Sequence, residues 1–165
     1  IICEHPTSEK TTTVRGFSIV ENMALLNLEG TGMIGVPGVA ERLFGALRSE
    51  GINVVLISQA SSEHSICFAI RESDTARAEH CIQTAFFAEF SQKQIEKIDI
   101  TRDVTILAAV GDGMAYTPGV AGQFLTALGR SSVNVRAIAQ GSSERNISVV
   151  IDQKNANRAL RSVHS

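Results

Sequence analysis

The chain of 165 residues is poor in the residues that mark several common kinds of protein. It has no tryptophan, only 5% aromatic residues and a net charge of −2. Nucleic-acid binding usually requires a basic patch, often with aromatic side chains on which bases stack. Because the chain has neither, its composition argues against a nucleic-acid partner.

Paired cysteines and long apolar runs are also missing. Cys3, Cys67 and Cys81 are odd in number and irregular in spacing, which argues against a disulfide framework and favours reduced thiols in the cytosol. Apolar runs such as residues 106–110 have the length of a strand and not of a bilayer. The first ten residues lack the order of charge, apolar core and cleavage site that a signal peptide has. We therefore expect a cytoplasmic chain without a membrane partner.

What the chain does contain is one stretch that it repeats. Residues 30–63 read GTGMIGVPGVAERLFGALRSEGINVVLISQASSE, and residues 111–144 read GDGMAYTPGVAGQFLTALGRSSVNVRAIAQGSSE. The copies align without a gap at an offset of 81 (118 − 37 for the prolines, 134 − 53 for the asparagines) and share GxGM, PGVA, NV, Q and SSE. Self-similarity at a fixed period indicates a duplicated module, and two modules of about 80 residues fit the usual domain size.

The periodicities in each copy predict the fold. Alternating apolar residues indicate strands, and a helical period of about 3.6 follows Pro37 and Pro118, with Pro37 suited to the first helical position. Each module then reads β-α-β-β-α-β, a ferredoxin-like α+β unit with two helices on one face of a four-stranded antiparallel sheet. We predict strands over 14–20, 24–29, 52–57, 66–70, 95–101, 104–110, 133–139 and 147–151, with a turn at 21–22. We predict that the first helix ends at Gly51, that the second is capped by Ser73 or Asp74, and that the last covers about 155–163.

The strand count is uneven between the copies. Copy one has a closing strand at 95–101, whereas copy two ends after its second helix. The offset of 81 places residues 16–19 opposite 97–100, so the first strand takes the closing position of the second sheet. We predict a linker over 1–13, module 1 over 21–101, and module 2 from 14–20 plus 102–165, with module 1 inserted within module 2. We also expect the chain to be a fragment of a longer protein.

Motifs for catalysis or nucleotide binding are weak. GxGxxG at 30–35 has the form of a dinucleotide fingerprint, but copy two has Tyr116 in place of the third glycine, and no acidic residue ends the next strand. SSEH at 61–64 offers a hydroxyl, a carboxylate and an imidazole, but neighbours on a turn seldom face one another, and copy two has Arg145 in place of the histidine. We therefore do not assign nucleotide binding to GxGxxG, interpret SSEH as a polar turn, and predict no catalytic residue. We also predict no metal site, because no metal-ligand spacing relates the histidines His5, His64, His80 and His164.

The residues that both copies share predict a pocket for a small zwitterion. Backbone N–H groups at the start of each first helix can hold a carboxylate, and an Asn at the head of the next strand can present its side-chain oxygen to an ammonium group. A Gln stands where the same strand ends. The alternative is that Asn and Gln only satisfy turn backbone, but their repetition at identical spacing favours binding. The candidates are Met33, Gly38, Val39, Ala40, Asn53, Ser58 and Gln59 in copy one, and Gly119, Val120, Ala121, Asn134, Ala139 and Gln140 in copy two.

The segments GTGM-x-GVPG, INVVLISQASSEHS, VGDGM-x-x-TPGV and NV-x-AIAQGSSE-x-NISVV resemble the paired ACT domains of aspartokinases, most closely those of bifunctional aspartokinase/homoserine dehydrogenase. The resemblance covers residues 14–165. It implies a regulatory region between a kinase domain and a dehydrogenase domain that lie outside this stretch. It implies ATP with Mg²⁺ and NADP as cofactors of the parent enzyme, none within this region, and a plastid location if the source is a plant.

The resemblance also implies the effector. Threonine or lysine is typical, and Gln59 and Gln140 carry over as threonine-contacting positions. Lysine-sensing relatives place an acidic residue in the strand after the Asn, where Val55 and Arg136 stand here. A buried lysine tail without a counter-charge would cost on the order of several kcal/mol, which favours threonine. Arg136 leaves open whether copy two binds the same ligand or only packs.

We therefore predict an allosteric sensor whose ligand binds one packing of the modules better than another. Because edge strands of such sheets pair between chains, we expect a homodimer. The alternatives are a ligand-free dimerisation module, a free-standing amino-acid sensor, and a lysine-responsive region of a monofunctional aspartokinase.

Overall fold

The computed structural model describes residues 16–31, 38–59, 65–111, 119–139 and 146–164. The strands are β1 (Gly16–Glu29), β2 (Leu56–Gln59), β3 (Ser65–Arg71), β4 (Lys97–Val110), β5 (Val135–Ala139) and β6 (Asn146–Asp152). The helices are α1 (Val39–Ser49), α2 (Thr75–Ala85), α3 (Phe87–Ser91), α4 (Val120–Arg130) and α5 (Ala156–His164), and single 3₁₀ turns at Glu72–Asp74 and Gln153–Asn155 precede α2 and α5.

The chain divides into two compact units. The central unit is Val20–Thr105, and the split unit combines the chain up to Ile19 with Ile106–Ser165. The chain passes from one unit to the other within β1 and again within β4. Each unit is therefore described by itself below.

The central unit is an antiparallel sheet with two helices on one face. Strand β3 pairs antiparallel with β1, from Met23 opposite Arg71 to Glu29 opposite Ser65, and also with β2, while β4 lies on the other side of β1. Helix α1 packs against α2. The core between helices and sheet is formed by alternate strand residues and one stripe of each helix: Ala24, Leu26, Leu28, Leu43, Leu47, Ile66, Phe68, Ile70, Ala78, Ile82 and Phe86.

The split unit repeats this architecture. Strand β5 pairs antiparallel with β6, with an irregularity between Val135 and Ala137, and β6 lies beside β4. Helix α4 packs against α5. Its core holds the equivalent residues Leu107, Ala109, Phe124, Leu128, Ile147, Val149, Ile151 and Ala159. The predicted class, two ferredoxin-like α+β units, is confirmed.

The start of β1 contributes to the split unit. Phe17 stacks on Phe124 with ring centroids 6.3 Å apart and meets the ring of His164 edge-on at 4.7 Å, and Ile19 packs against the same core. These contacts support the inserted arrangement, while the predicted boundaries 1–13, 21–101 and 14–20 with 102–165 stay a prediction.

The predicted turn at 21–22 is wrong, because β1 continues through it as one strand. Asn22 has a φ of 58° and Asp103, its equivalent in β4, has a φ of 54°. Asn and Asp tolerate this left-handed backbone better than most residues. One such residue shifts the alternation of side chains without ending the strand. In β1, Phe17 and Ile19 enter one core and the even residues from Ala24 onward enter the other.

Several predicted element ends also need correction. Strands β2 and β5 begin later than predicted, because Ile52 and Val133 donate their N–H groups back to the preceding helices, each at 3.0 Å. Helix α1 begins at Val39, and Pro37 lies outside the described residues. Asp74 is the N-cap of α2 but makes no side-chain capping bond. The prediction that α1 ends at Gly51 is confirmed within two residues, since α1 ends at Ser49 and Gly51 has a φ of 70°.

Close packing of the backbone explains why residue 30 is a glycine, without a nucleotide-binding role for the GxGxxG motif. A Cβ at this position would lie 2.2 Å from the carbonyl oxygen of Gln94 and 2.6 Å from the Cα of Ile95. The neighbouring N–H of Glu96 donates to the carbonyl of Glu29 at 2.8 Å. The backbone of this segment passes too close to residue 30 for any side chain.

The position after the first helix of each unit gives a test of the repeat. Gly51 and Ser132 are equivalent and have φ values of 70° and 57°. A left-handed backbone costs a residue with a Cβ about 1 kcal/mol more than glycine. We expect Ser132→Gly to raise the free energy of unfolding by about 1 kcal/mol and Gly51→Ala to lower it by a similar amount in urea denaturation. Ser131→Gly is the matched control, since Ser131 has a φ of −89°, and stabilisation by this control would contradict the argument.

Candidate functional site

Helices α1 and α4 begin in the same way. Each follows a glycine with a left-handed backbone, with a φ of 82° at Gly38 and 85° at Gly119. Neither glycine can cap its helix with a side chain, and no side chain of the described residues caps either start. The first backbone N–H groups of a helix lack partners within the helix and lie at its positive end. These groups can therefore donate to a carboxylate.

The backbone conformation explains the two glycines. A Cβ at Gly38 or Gly119 would meet no described atom within 4 Å, so close packing does not exclude a side chain there, whereas the positive φ disfavours one. Val39 and Val120 are buried in their cores, and the alanines that follow them are half-buried. Residues 38–40 and 119–121 thus form two equivalent helix starts with exposed glycines.

Arg42 anchors the first turn of α1. Its Nη1 donates to Glu89 Oε1 at 2.5 Å, its Nη2 donates to the carbonyl of Ala85 at 2.8 Å, and its guanidinium lies 4.6 Å from the centroid of the Phe86 ring. The hydrogen bond from Arg42 holds the pKa of Glu89 below its ordinary value. The uncharged Gln123 stands at the equivalent position of α4. The start of α1 is therefore held by an ion pair that residue 123 cannot make.

Asn53 and Asn134 occupy equivalent places between the helix and the edge strand. Each follows a residue whose N–H donates to the last turn of the preceding helix. Both are exposed, and within the described ranges neither side chain makes a hydrogen bond. The alternative that these amides satisfy turn backbone therefore finds no support in that part of the chain.

The remaining predicted residues lie on or beyond the edge strands. Ser58 on β2 and Ala139 on β5 are half-buried. Gln59 ends β2, but its side chain lies outside what the structure describes. Met33 and Gln140 lie wholly outside the described residues.

Within the central unit, Asn53 and Gln59 lie at different ends of β2. Strands β1 and β2 are both antiparallel to β3, and the register places Glu29 opposite Ser65 and Gln59 opposite Ile66. Gln59 therefore lies at the end of the sheet where β1 ends, whereas Asn53 precedes the other end of β2. Six residues of extended chain span roughly 20 Å. One unit alone does not bring this amide pair together.

The two copies differ at the positions expected to contact the side chain of the effector, which are Val55 and Arg136. In the split unit, Arg136 Nε donates to Asp152 Oδ1 at 2.6 Å across β5 and β6. This hydrogen bond lowers the pKa of Asp152 and raises that of Arg136. In the central unit, Val55 and Arg71 stand at these positions, and Val55 is 44% exposed. The ion pair of Arg136 with Asp152 was not predicted from the sequence. The opposite charges at the equivalent positions 71 and 152 could have indicated it.

Other kinds of site find no support in the described ranges. No group of three or more His, Cys, Asp and Glu side chains there could hold a metal ion. No helix there is both long and apolar enough to cross a membrane. Cys67 and Cys81 are free thiols, and burial raises the pKa of both.

The fold defines an α+β protein built from two ferredoxin-like units with matching helix starts. The sequence profile of the ACT domain matches residues 26–86 and 107–165, once in each unit. The chain belongs to the ACT domain family.

Relatives and solved structures agree on the kind of ACT protein. The chain is 45% identical over 169 residues to bifunctional aspartokinase/homoserine dehydrogenase 2, chloroplastic, from Arabidopsis thaliana, covering 100% of the chain and 18% of that protein. It is 40% identical over 151 residues to the bifunctional enzyme of Haemophilus influenzae, covering 92% and 18%. The ligand-free regulatory subunit of aspartate kinase from Thermus thermophilus matches with a TM-score of 0.75 and 26% identity, covering 92% of this chain and 97% of that one.

These comparisons confirm the resemblance to the paired ACT domains of aspartokinases. The chain spans about a fifth of the length of the bifunctional relatives (18% of the Arabidopsis and Haemophilus proteins), and it spans nearly all of a regulatory subunit. The matched part is thus the regulatory ACT region of such enzymes.

The ion pair of Arg136 with Asp152 makes a prediction about acid stability. The folded pKa of Asp152 lies below its ordinary value, so the pair stabilises the fold above the ordinary carboxyl pKa and loses this effect as the pH falls through the folded value. We expect Arg136→Gln to raise the pKa of Asp152 in an NMR titration and to reduce the loss of stability on acidification. The control is Arg130→Gln, at the exposed end of α4. An unchanged titration of Asp152 in the Arg136 variant would contradict this assignment.

Proposed function

We propose that this chain is the allosteric, amino-acid-binding regulatory region of an aspartokinase, of the kind joined to homoserine dehydrogenase, and that threonine is its feedback inhibitor. The observation that carries the proposal is the duplicated helix start. Gly38 and Gly119 each open a helix without a side-chain cap and are exposed. Backbone N–H groups at such a start suit the carboxylate that every free amino acid carries.

The surroundings of the edge strands support threonine over lysine. A lysine ammonium needs a carboxylate partner, and Val55 offers none. In the second copy, Asp152 is already held by Arg136 at 2.6 Å, so its charge is compensated. A short hydroxyl side chain needs hydrogen-bonding groups only, which Ser58 and the amides of Gln59 and Gln140 can supply. The structure thus supports threonine because neither Val55 nor the paired Asp152 offers an uncompensated carboxylate to a lysine ammonium.

A homodimer would unite the groups that one unit keeps apart. In the described part, β2 pairs only with β3, and β5 pairs only with β6. Ile57 on β2 is 48% exposed and its equivalent Ile138 on β5 is 41% exposed. Antiparallel pairing of two β2 edges would lay Asn53 of one chain beside the Ser58 end of the other. We therefore propose that the effector site is completed by an edge-to-edge contact between chains.

Regulation follows from such a shared site. A ligand that contacts both edges binds the paired arrangement better than any other and shifts the population towards it. Domains joined to the region respond to this shift because their active conformation is coupled to one packing of the region. For this protein we propose a kinase domain and a dehydrogenase domain, with ATP, Mg²⁺ and NADP as cofactors of the parent enzyme only.

The place in the cell follows from the same proposal. We place the protein in the cytosol, or in the plastid if the source is a plant. The second location is supported by the word chloroplastic in the names of the Arabidopsis relatives.

Calorimetry tests the choice of effector. We expect threonine to give a saturable heat and lysine to bind at least about tenfold more weakly, a difference of about 1.4 kcal/mol. The double variant Gln59→Ala with Gln140→Ala should lose most of the threonine heat, whereas Gln83→Ala, on the exposed face of α2, should keep it. Equal heats for the two amino acids, or unchanged threonine binding in the double variant, would rule the assignment out.

Sedimentation tests the edge-strand contact. We expect Ile57→Glu to shift the chain from dimer towards monomer, because it places two like charges near the centre of the paired edges. Phe87→Glu is the matched control, since Phe87 is 73% exposed on α3 and belongs to neither edge strand. A dimer that survives both Ile57→Glu and Ile138→Glu would refute edge pairing.

A further inference from the structure

A polar cleft lies within the central unit, and its lining includes neither the start of α1 nor β2. It has a volume of about 550 Å³ and opens at the bend of β1 and the end of β3. The polar side chains that line it are Glu21, Asn22, Arg71, Glu72, Ser73 and Arg102. Two guanidinium groups and two carboxylates thus share one cleft, and their formal charges cancel.

Arg102 is held in place by a buried hydroxyl. Its Nη1 donates to Thr75 Oγ1 at 2.6 Å, and this hydroxyl donates to the carbonyl of Glu72 at 2.8 Å. Thr75 is only 3% exposed. In the split unit the equivalent residue is Ala156, which is also buried. The fold therefore does not require a hydroxyl at this position, and its effect in the central unit is to fix Arg102.

Arg71 is the guanidinium of the cleft that has no partner among the described residues. It is the last residue of β3 and is exposed, and its guanidinium makes no hydrogen bond or ion pair with any residue that the structure describes. The split unit has Asp152 at the equivalent place, paired with Arg136. The charged groups of the cleft are therefore those of one copy and do not follow from the shared fold.

The balance of charge selects the class of ligand. A simple anion in the cleft would face Glu21 and Glu72, and a simple cation would face Arg71 and Arg102. A molecule with both charges can place its carboxylate against guanidinium and its ammonium against carboxylate, each in a charge-assisted hydrogen bond.

We propose that this cleft binds a small zwitterion of the α-amino-acid class. Arg71 takes the ligand carboxylate, and Glu21 and Glu72 take the ammonium group. Arg102 is a positioning residue that Thr75 holds against the cleft. This second site does not use the helix starts or the edge strands, so it stands or falls independently of the threonine site.

NMR titration of the labelled chain with glycine tests the proposal, with acetate and methylammonium as probes that each carry one of the two charges. We expect glycine to cause saturable shifts in the backbone amides of Asn22, Arg71 and Ser73, with a dissociation constant on the order of millimolar because the charged groups are solvated. Acetate and methylammonium should each bind about tenfold more weakly. No saturable shift at these amides, or equal binding of acetate and glycine, would overturn the proposal.

Variants separate the roles within the cleft. We expect Arg71→Gln to weaken glycine binding about tenfold and Arg130→Gln to leave it unchanged. Thr75→Ala, which installs the residue of the other copy, should weaken glycine binding, and Thr75→Ser should restore it. Unchanged binding in Arg71→Gln would overturn the proposal, as would a failure of Thr75→Ser to differ from Thr75→Ala. Threonine binding read at the amides of Val39 and Val120 is a separate signal, so failure at one site is distinguishable from failure at the other.

Discussion

One left-handed residue in each long strand is the constraint on which the rest of this structure depends. Strands β1 and β4 continue through Asn22 and Asp103, which have φ values of 58° and 54°. At these residues the side chains that enter a core change from odd-numbered to even-numbered in β1, and from even-numbered to odd-numbered in β4. Before Asn22 the odd residues Phe17 and Ile19 enter the core of the split unit, and after it the even residues Ala24, Leu26 and Leu28 enter that of the central unit. A strand that changes its buried side in this way can serve two hydrophobic cores with one run of backbone.

The duplication preserves backbone geometry more strictly than side-chain chemistry. The left-handed positions recur at the strand bends, the helix starts and the helix ends, and the last of these is kept even where Ser132 replaces glycine. Chemistry diverges at positions that the backbone does not constrain. Thr75 carries a hydroxyl where the equivalent Ala156 is apolar, and Arg71 is positively charged where the equivalent Asp152 is negatively charged. The fold is thus shared, while the polar groups that it carries differ between the two copies.

Much of the fold could be predicted from periodicity, because helical faces depend on local spacing. The buried residues Val39, Leu43 and Leu47 of α1, and their equivalents in α4, follow the helical period that the sequence predicts after Pro37 and Pro118. The bends were missed because a polar residue between two alternating runs resembles a turn, and only φ distinguishes the two. The helix starts of the candidate site were predictable from contiguous residues. The pairs Arg102 with Thr75 and Arg136 with Asp152 join residues 27 and 16 apart in sequence, and no local pattern reports such contacts.

The position of Phe17 also restricts where this region can be truncated. A gene fragment that starts at Val20 would encode every strand of the central unit, yet it would remove the ring that stacks on Phe124 and meets His164. The split unit would then expose the apolar surface that Phe17 and Ile19 cover, and exposed apolar surface of this kind promotes aggregation. Evolutionary rearrangement faces the same restriction. The second copy keeps its packing in another protein only together with residues that precede the first.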